Sequence, residues 1–215
     1  MDQENITKAQ FQVLHIPLPY DGVVMFTQIV LRPLIFLIRV CLARGVTIDI
    51  KPSQLEPNAK YILAPTHGSW LDPLVVMYHV PINVFYRIGP IRVIVLNKVF
   101  DSALRPFIMA LGSFPAKPHA RYRYGLDMAQ EFLDGGALLA IFPEGRRNRD
   151  RSVKPRRGVA ELANDKNVLL IPVHIAWKRY FFGLVPTYKI HIGAPRKVAG
   201  MTADQIMDDI YALPL

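Results

Sequence analysis

The feature that most constrains the fold is a regular alternation of short apolar runs with helical segments, which begins at about residue 46. Runs of this length and composition are typical of buried strands, and the segments between them suit crossover helices. This order predicts an α/β layered fold with a mixed or largely parallel sheet flanked by helices. The predicted strands are residues 61–66, 91–96, 137–142, 168–176 and 187–192. The predicted helices follow Asp72, cover 102–111 and 121–133, begin near Gly158, and cover 203–211 behind an N-cap at Thr202.

Residues 23–43 form an apolar segment that is long enough to span a bilayer, although polar residues interrupt it. Two arginines near the middle of a membrane would cost about 2.5–3.5 kcal/mol each. A helix lying in the interface, or two short helices bent at Pro33, avoids that cost. The alternative is an amphipathic helix packed on the protein's own core, but the wide apolar arc favours membrane contact. The interrupting residues follow offsets of seven, four and seven, which is one narrow helical stripe: Asp21, Gln28, Arg32 and Arg39.

The chain is therefore predicted to have two parts. Residues 1–45 are an amphipathic, membrane-contacting helical segment without the features of a signal peptide, and residues 46–215 are one α/β domain. The net charge of +9 attracts polyanions, which include nucleic acid, anionic headgroups and phosphorylated substrates. Cys41 is the single cysteine, which excludes an intrachain disulfide and a CxxC metal site.

Residues 66–73, which read THGSWLDP, place His67 and Asp72 directly after a predicted strand. Asp72-Pro73 suggests a helix N-cap followed by the first helical residue, and Ser69 with Asp72 suggests a capping box. Either arrangement puts Asp72 at the positive end of a helix. An ionised Asp72 would hold one tautomer of His67, whose other ring nitrogen could take a proton from an alcohol. From this motif alone, the alternative is a capping aspartate beside an ordinary loop histidine.

A second motif, FPEGRR at residues 142–147, also follows an apolar strand. With both motifs the chain resembles the glycerolipid acyltransferase family typified by bacterial lysophosphatidic acid acyltransferase. The resemblance covers roughly residues 60–175, and the four sequence blocks of the family occur in the family's order. Those blocks are His67 with Asp72, residues 112–117, residues 142–147 and residues 168–173. This chain departs from the family pattern at Thr66 (usually Asn), Lys117 (usually Arg), Arg146 (usually Thr) and Asn148 (usually Ser).

The resemblance implies roles for particular residues. His67 and Asp72 would be catalytic. Arg147, with Lys117 and Arg146, would hold the acceptor phosphate, because arginine gives directed pairs of hydrogen bonds to phosphate. Glu144 and Gly145 belong to the same substrate-binding block. Glu144 would orient Arg147 or accept a hydrogen bond from a glycerol hydroxyl.

By the same resemblance, the chain transfers a fatty acyl group from acyl-CoA or an acyl carrier protein thioester to the free hydroxyl of 1-acyl-glycerol-3-phosphate. The product is phosphatidic acid, an intermediate of phospholipid biosynthesis. His67 and Asp72 act as a general base without a covalent intermediate, a metal or a cofactor. Two alternatives stay open. One is an acyltransferase for glycerol-3-phosphate or another lysolipid, and the other is a non-catalytic, basic membrane- or nucleic-acid-binding module.

The basic tract at residues 146–157 holds seven basic residues against Asp150. Contact with headgroups or donor phosphates is the first interpretation, plain solubility the second and nucleic acid a distant third, since no nucleic-acid-binding motif accompanies it. The expected partners are a membrane lipid surface, the thioester donor and the lysophospholipid acceptor, without nucleic acid. The expected location is peripheral or monotopic on the cytoplasmic face of a membrane. A basic membrane-facing surface is also predicted at Arg87, Arg92, Lys98 and Arg105.

Overall fold

A seven-stranded sheet forms the centre of the computed structural model, which describes residues 19–117, 122–180 and 185–215. Its strands are β1 (Ala43–Ile48), β2 (Lys60–Pro65), β3 (Ile91–Val95), β4 (Ser113–Pro115), β5 (Leu138–Ala140), β6 (Val168–Tyr180) and β7 (Val185–Ile192). Their order is β1-β7-β6-β2-β5-β3-β4. Every neighbouring pair is parallel except β6 with β7. The predicted α/β fold with a mixed, largely parallel sheet is confirmed.

Helices cover both faces of the sheet, which explains why its central strands are continuous apolar runs. On one face, Val75, Val84 and Phe85 pack over Leu63 of β2. On the other face, three helices bury a second cluster that includes Ile62 of the same strand. The helices are α1 (Asp21–Val30), α2 (Arg32–Leu42), α3 (Asp72–His79), α4 (Ile82–Ile88), α5 (Asn97–Phe100), α6 (Arg105–Ala110), α7 (Tyr122–Asp134), α8 (Gly158–Leu162) and α9 (Ala203–Tyr211).

The five predicted strands are all present, with ends that differ by a few residues, whereas β1, β4, α4 and α5 were not predicted. Helix α9 has the predicted bounds. The Thr202 side chain caps it by accepting from the Gln205 amide at 3.2 Å. Helix α3 begins at Asp72 with Leu71 as its N-cap, so the predicted N-cap role of Asp72 is wrong by one residue. Asp72 still lies in the first turn, at the positive end of the helix dipole. Residue 121, where a helix was predicted to start, lies outside the described residues.

From residue 19 onward, the N-terminal segment forms two short helices that meet at Leu31, and Pro33 lies in the first turn of α2. Proline fits this position because the first helical turn does not need its missing N–H group. Among the described residues, no helix is both long enough and apolar enough to cross a membrane. The predicted boundary between residues 45 and 46 falls inside β1, and residues 1–18 of the predicted segment lie outside the described residues.

The polar stripe of these two helices faces the domain, and their apolar side faces outward. The Gln28 amide nitrogen donates to the carbonyls of Ile91 at 2.7 Å and Leu111 at 2.9 Å, and Gln28 is buried. Arg32 donates to the carbonyls of Tyr78 and Val80. Apolar residues beside the stripe also pack inward: Val24 is fully buried, and Ile29 lies against the core. Seven outward apolar residues are each at least 48% exposed: Val23, Phe26, Val30, Leu34, Phe36, Leu37 and Val40.

Arg92 does not belong to a membrane-facing surface, so that part of the predicted basic surface is wrong. It is 2% exposed, and its guanidinium donates to Asp21 Oδ1 through Nε at 3.0 Å and through a terminal nitrogen at 2.6 Å. The guanidinium also lies 4.5 Å from the centroid of the Phe132 ring. A buried arginine needs such a partner for its charge. Arg92 therefore ties α1 to β3.

Candidate active site

The two sequence motifs meet because the strands before them are neighbours in the sheet. His67 follows β2 and Glu144 follows β5, and these strands pair in parallel. The carboxyl ends of parallel strands meet at one edge of a sheet, where the ligands of open α/β proteins bind. On the other side of β2, strand β6 carries Trp177 to the same edge. Residues that are distant in sequence are thereby brought around His67.

His67 and Asp72 form a direct pair. His67 Nδ1 lies 2.9 Å from Asp72 Oδ2, and a carboxylate can only accept, so Nδ1 carries the ring proton. The other ring nitrogen, Nε2, has no hydrogen-bond partner in the part of the chain that the structure describes. The His67 side chain is 19% exposed, and its ring packs on Phe142 with 4.5 Å between centroids. The lone pair of Nε2 is thus available to take a proton from a bound hydroxyl.

Asp72 is fully buried, and both of its carboxylate oxygens accept hydrogen bonds. Besides His67, its Oδ2 accepts from the backbone amides of Gly68 and Ser69, both at 2.7 Å. Its Oδ1 accepts from Trp177 Nε1 at 2.6 Å. A buried charge is tolerated when it is hydrogen-bonded in this way. The carboxylate therefore cannot rotate without breaking several bonds, which fixes the orientation of the imidazole.

Trp177 is one of the residues whose contact with this site was not predicted from the sequence. In the sequence, 105 positions separate it from Asp72. In the structure its indole N–H donates to the Asp72 carboxylate, and its ring packs on Tyr188 with 5.2 Å between centroids. Its position in β6, next to β2, is the only signal that could have pointed to this contact.

Glu144 is 1% exposed and holds the backbone of His67. Its Oε2 accepts from the His67 amide at 2.5 Å, and its Oε1 accepts from Asn148 Nδ2 at 3.0 Å and from the Tyr211 hydroxyl at 2.6 Å. Burial raises the pKa of Glu144, and these three donors oppose that shift. The backbone N–H of Asn148 also donates to the His67 carbonyl at 2.6 Å. This geometry favours a positioning role for Glu144, since its carboxylate has no hydrogen bond to Arg147.

Gly145 has a backbone conformation that residues with a side chain rarely adopt. Its φ is +64°, in the left-handed region. A Cβ atom at this position would lie 2.3 Å from Nε of Arg156, whose side chain crosses the turn. The Arg156 amide also donates to the Pro143 carbonyl at 2.8 Å. Glycine thus suits the turn, and a larger residue here would also displace the Arg156 side chain.

The predicted phosphate-binding cations do not form one contact cluster with His67. Arg146 and Arg147 are exposed directly after the Gly145 turn. Lys117 is also exposed, and the Asn97 side chain holds its backbone through bonds of 2.9 Å and 2.6 Å. Lys117 follows β4, three strands from β2, so it lies roughly 14 Å along the same edge. The three cations therefore lie along the sheet edge that carries His67 and do not contact the His67 side chain.

A second histidine–aspartate pair differs from the first in one respect. His191 Nε2 lies 2.6 Å from Asp49 Oδ2, and His191 Nδ1 lies 2.9 Å from the Pro214 carbonyl. With both ring nitrogens bonded, His191 offers no free lone pair. No group of three or more His, Cys, Asp or Glu side chains that could hold a metal ion occurs in residues 19–117, 122–180 and 185–215.

The carboxylate-supported imidazole at the sheet edge of this α/β fold is an arrangement suited to general-base chemistry. The Acyltransferase family model matches residues 48–176, and the chain belongs to this family. The resemblance to the glycerolipid acyltransferases is thereby confirmed at the level of the family. Acyl transfer is the class of activity that follows.

One solved structure with a similar fold is the 1-acyl-sn-glycerophosphate (LPA) acyltransferase PlsC from Thermotoga maritima. The TM-score is 0.54 at 15% sequence identity, and the match covers 87% of this chain and 75% of that chain. At this identity the similarity is one of fold. No curated protein sequence matches the chain.

Proposed function

We propose that this protein transfers a fatty acyl group from a thioester, either acyl-CoA or acyl carrier protein, to 1-acyl-glycerol-3-phosphate, which yields phosphatidic acid. The observation that carries the proposal is the state of His67. Its Nδ1 is held by a fully buried carboxylate, and its Nε2 is free at the edge of the sheet. Exposed arginines follow the adjacent strand, where an acceptor phosphate would need positive charge.

In the proposed mechanism, His67 Nε2 takes the proton of the acceptor hydroxyl as the oxygen attacks the thioester carbonyl. Asp72 stabilises the imidazolium that forms and keeps the ring in its orientation. When the tetrahedral intermediate collapses, the carbon–sulfur bond breaks and the thiolate takes the proton back from His67. The products are an ester and a free thiol, so protons and electrons balance without a covalent acyl-enzyme.

The acceptor phosphate is proposed to bind Arg147 and Arg146, with Lys117 contributing charge from further along the edge. Gly145 supplies the turn that presents these arginines. Arg149, whose Nε donates to the Gly68 carbonyl at 2.9 Å, ties the basic tract to the loop that carries His67. Because this tract departs from the family pattern at Arg146 and Asn148, a different phosphorylated acceptor is the main alternative.

Product analysis tests the acceptor directly. The purified protein is incubated with palmitoyl-CoA or palmitoyl acyl carrier protein and with 1-acyl-glycerol-3-phosphate, glycerol-3-phosphate or lysophosphatidylcholine. We expect thiol release that depends on the first acceptor, and phosphatidic acid identified by mass. Donor without acceptor measures plain hydrolysis and is subtracted. Acyl transfer only to another acceptor would replace the proposed substrate, and no transfer to any acceptor would refute the proposed function.

We also propose that α1 and α2 bind the membrane peripherally, on the cytoplasmic face. The support is the outward apolar side of these helices, together with the net charge of +9. Apolar side chains gain about 1.5–3 kcal/mol each when they leave water completely. The negative surface of the cytoplasmic leaflet adds attraction for basic residues.

Charged substitutions on this apolar side should release the protein from lipid. For the double variant Phe26→Glu, Leu37→Glu, we expect at least about tenfold weaker partitioning onto vesicles of phosphatidylcholine and phosphatidylglycerol, measured by co-sedimentation. Both side chains are more than half exposed, so folding should be unaffected. The variant Lys166→Gln, Lys197→Gln changes the net charge equally at two other exposed sites and is the control. Equal loss of binding in both variants would show that charge, and not the apolar side, holds the protein on lipid.

A further inference from the structure

Tyr211 reaches the active-site motifs from outside the segment that matches the family model. It is the last residue of α9, and its hydroxyl donates to Glu144 Oε1 at 2.6 Å. We propose that Tyr211 is a positioning residue for acyl transfer, acting through Glu144 on the backbone of His67. This inference rests on the proposed function and adds a residue to it.

The carboxylate of Glu144 links the Tyr211 hydroxyl to the backbone N–H of His67. Its two oxygens rotate together, so the bond from Tyr211 to Oε1 also sets the direction of Oε2 toward the His67 amide. Without that hydroxyl, Oε1 keeps only the weaker bond from Asn148 at 3.0 Å. A carboxylate that loses one of its donors is less restricted in its rotation, and Oε2 rotates together with Oε1. The His67 amide would then lose part of its acceptor.

The Tyr211 ring is itself fixed on both sides. The Arg151 guanidinium lies 4.4 Å from the ring centroid, and the His174 ring meets it edge-on at 5.5 Å. His174 is held in turn by a 2.8 Å contact between its Nδ1 and the Leu213 carbonyl. Burial, together with the bond to Glu144, raises the pKa of the Tyr211 phenol, so the hydroxyl keeps its proton and remains a donor. A ring fixed in this way suits a positioning role.

The expected kinetic signature follows from where Tyr211 acts. It touches the support of His67 and none of the residues proposed to bind phosphate. A small displacement of the His67 backbone changes the distance from Nε2 to the acceptor hydroxyl, and proton transfer is sensitive to such displacements. The loss should therefore appear in kcat and leave KM nearly unchanged.

The test compares two tyrosine-to-phenylalanine variants that each remove one hydrogen-bonded hydroxyl. For Tyr211→Phe, we expect kcat to fall about tenfold, with KM within about twofold. The control is Tyr61→Phe: the Tyr61 hydroxyl accepts from the Glu56 amide at 2.7 Å, at the other end of β2. Tyr61→Phe should lower the melting temperature about as much as Tyr211→Phe does, and its kcat should equal that of the wild type.

The pH profile gives a readout that a purely structural role would not move. Tyr211 and Asn148 donate to Glu144 and oppose the rise in its pKa that burial causes. Removing the Tyr211 hydroxyl should raise this pKa further, because the charged form loses a donor. The other groups that face this site, the rings of His67 and His174 and the guanidinium of Arg151, are unchanged. A protonated Glu144 accepts less well from the His67 amide, so protonation of Glu144 should lower kcat. As the pH is lowered, kcat should therefore begin to fall at a higher pH in Tyr211→Phe than in the wild type. In Tyr61→Phe it should fall at the same pH as in the wild type.

The outcomes separate the inference from the function on which it rests. An inactive wild-type protein refutes the proposed function. An active wild type with unchanged kcat in Tyr211→Phe refutes the inference alone, as does a loss that merely matches the fraction unfolded. If Tyr211→Phe folds poorly, Asn148→Ala removes the other side-chain donor to Oε1, and it must lower kcat in the same way for the inference to stand.

Discussion

Replacing His67 by alanine is expected to slow acyl transfer by at least ~10²-fold, which is the usual contribution of a general base. The methyl group has no lone pair to accept the proton of the hydroxyl. Binding to lipid should not change, because the apolar side of α1 and α2 is separate from this side chain. Thiol release and product mass measure the rate, and vesicle co-sedimentation measures the binding.

A matched control removes a histidine that the mechanism does not use. His79 is 3% exposed, and its Nδ1 contacts the Val75 carbonyl of the same helix at 2.7 Å. Burial lowers the pKa of His79 to about 4, so its loss changes no charge at neutral pH. His79→Ala should lower the melting temperature but keep the rate per folded molecule. If His67→Ala kept the wild-type rate, the non-catalytic binding module would become the better explanation.

Exchanging Asp72 for asparagine should be at least as damaging, with a loss in kcat on the order of 10³-fold and a lower melting temperature. The carboxylate accepts from four N–H donors, three at Oδ2 and one, from Trp177, at Oδ1. The asparagine NH₂ group must face at least one of them, so a donor would oppose a donor in a buried site. The imidazole would also lose the negative charge that stabilises its protonated form.

The control for this variant is the same exchange at the other histidine–aspartate pair. Asp49→Asn disturbs the contact with His191 Nε2 but none of the bonds around His67. It should therefore leave kcat within about twofold of the wild type. Steady-state rates and thermal unfolding of both variants, measured side by side, check the prediction. Full activity in Asp72→Asn would mean that the carboxylate serves only to cap and hold α3.

The sheet could be predicted from the sequence because its central strands are buried on both faces. Such strands are continuous apolar runs that stand out from their surroundings. Strand β1 was not predicted because it includes Arg44 and Gly45 and lies at the sheet edge. Strand β4 was not predicted because it has only three residues. Edge strands and very short strands have no periodicity from which to infer them.

The contact between His67 and Asp72 could also be predicted, since five positions separate the two residues and the second motif indicated the family. The residues that support this pair could not be predicted. Trp177 lies 105 positions from Asp72, and Tyr211 lies 67 positions from Glu144. Such contacts exist only after strand order is fixed. Arg92 shows the opposite error: a cation among apolar residues suggested a lipid surface, but its charge is matched inside the protein by Asp21.

Helix α3 has a consequence for how a lipid reaches the base. It begins at Asp72, and the carbonyls of Tyr78 and Val80 at its far end accept from Arg32 of α2. Its eight residues span about 12 Å, less than half of the roughly 30 Å hydrocarbon thickness of a bilayer. With α1 and α2 seated among headgroups as proposed, a lysolipid would present its hydroxyl to His67 while its tail stays in its own leaflet. Neither substrate nor product would then have to be extracted into water.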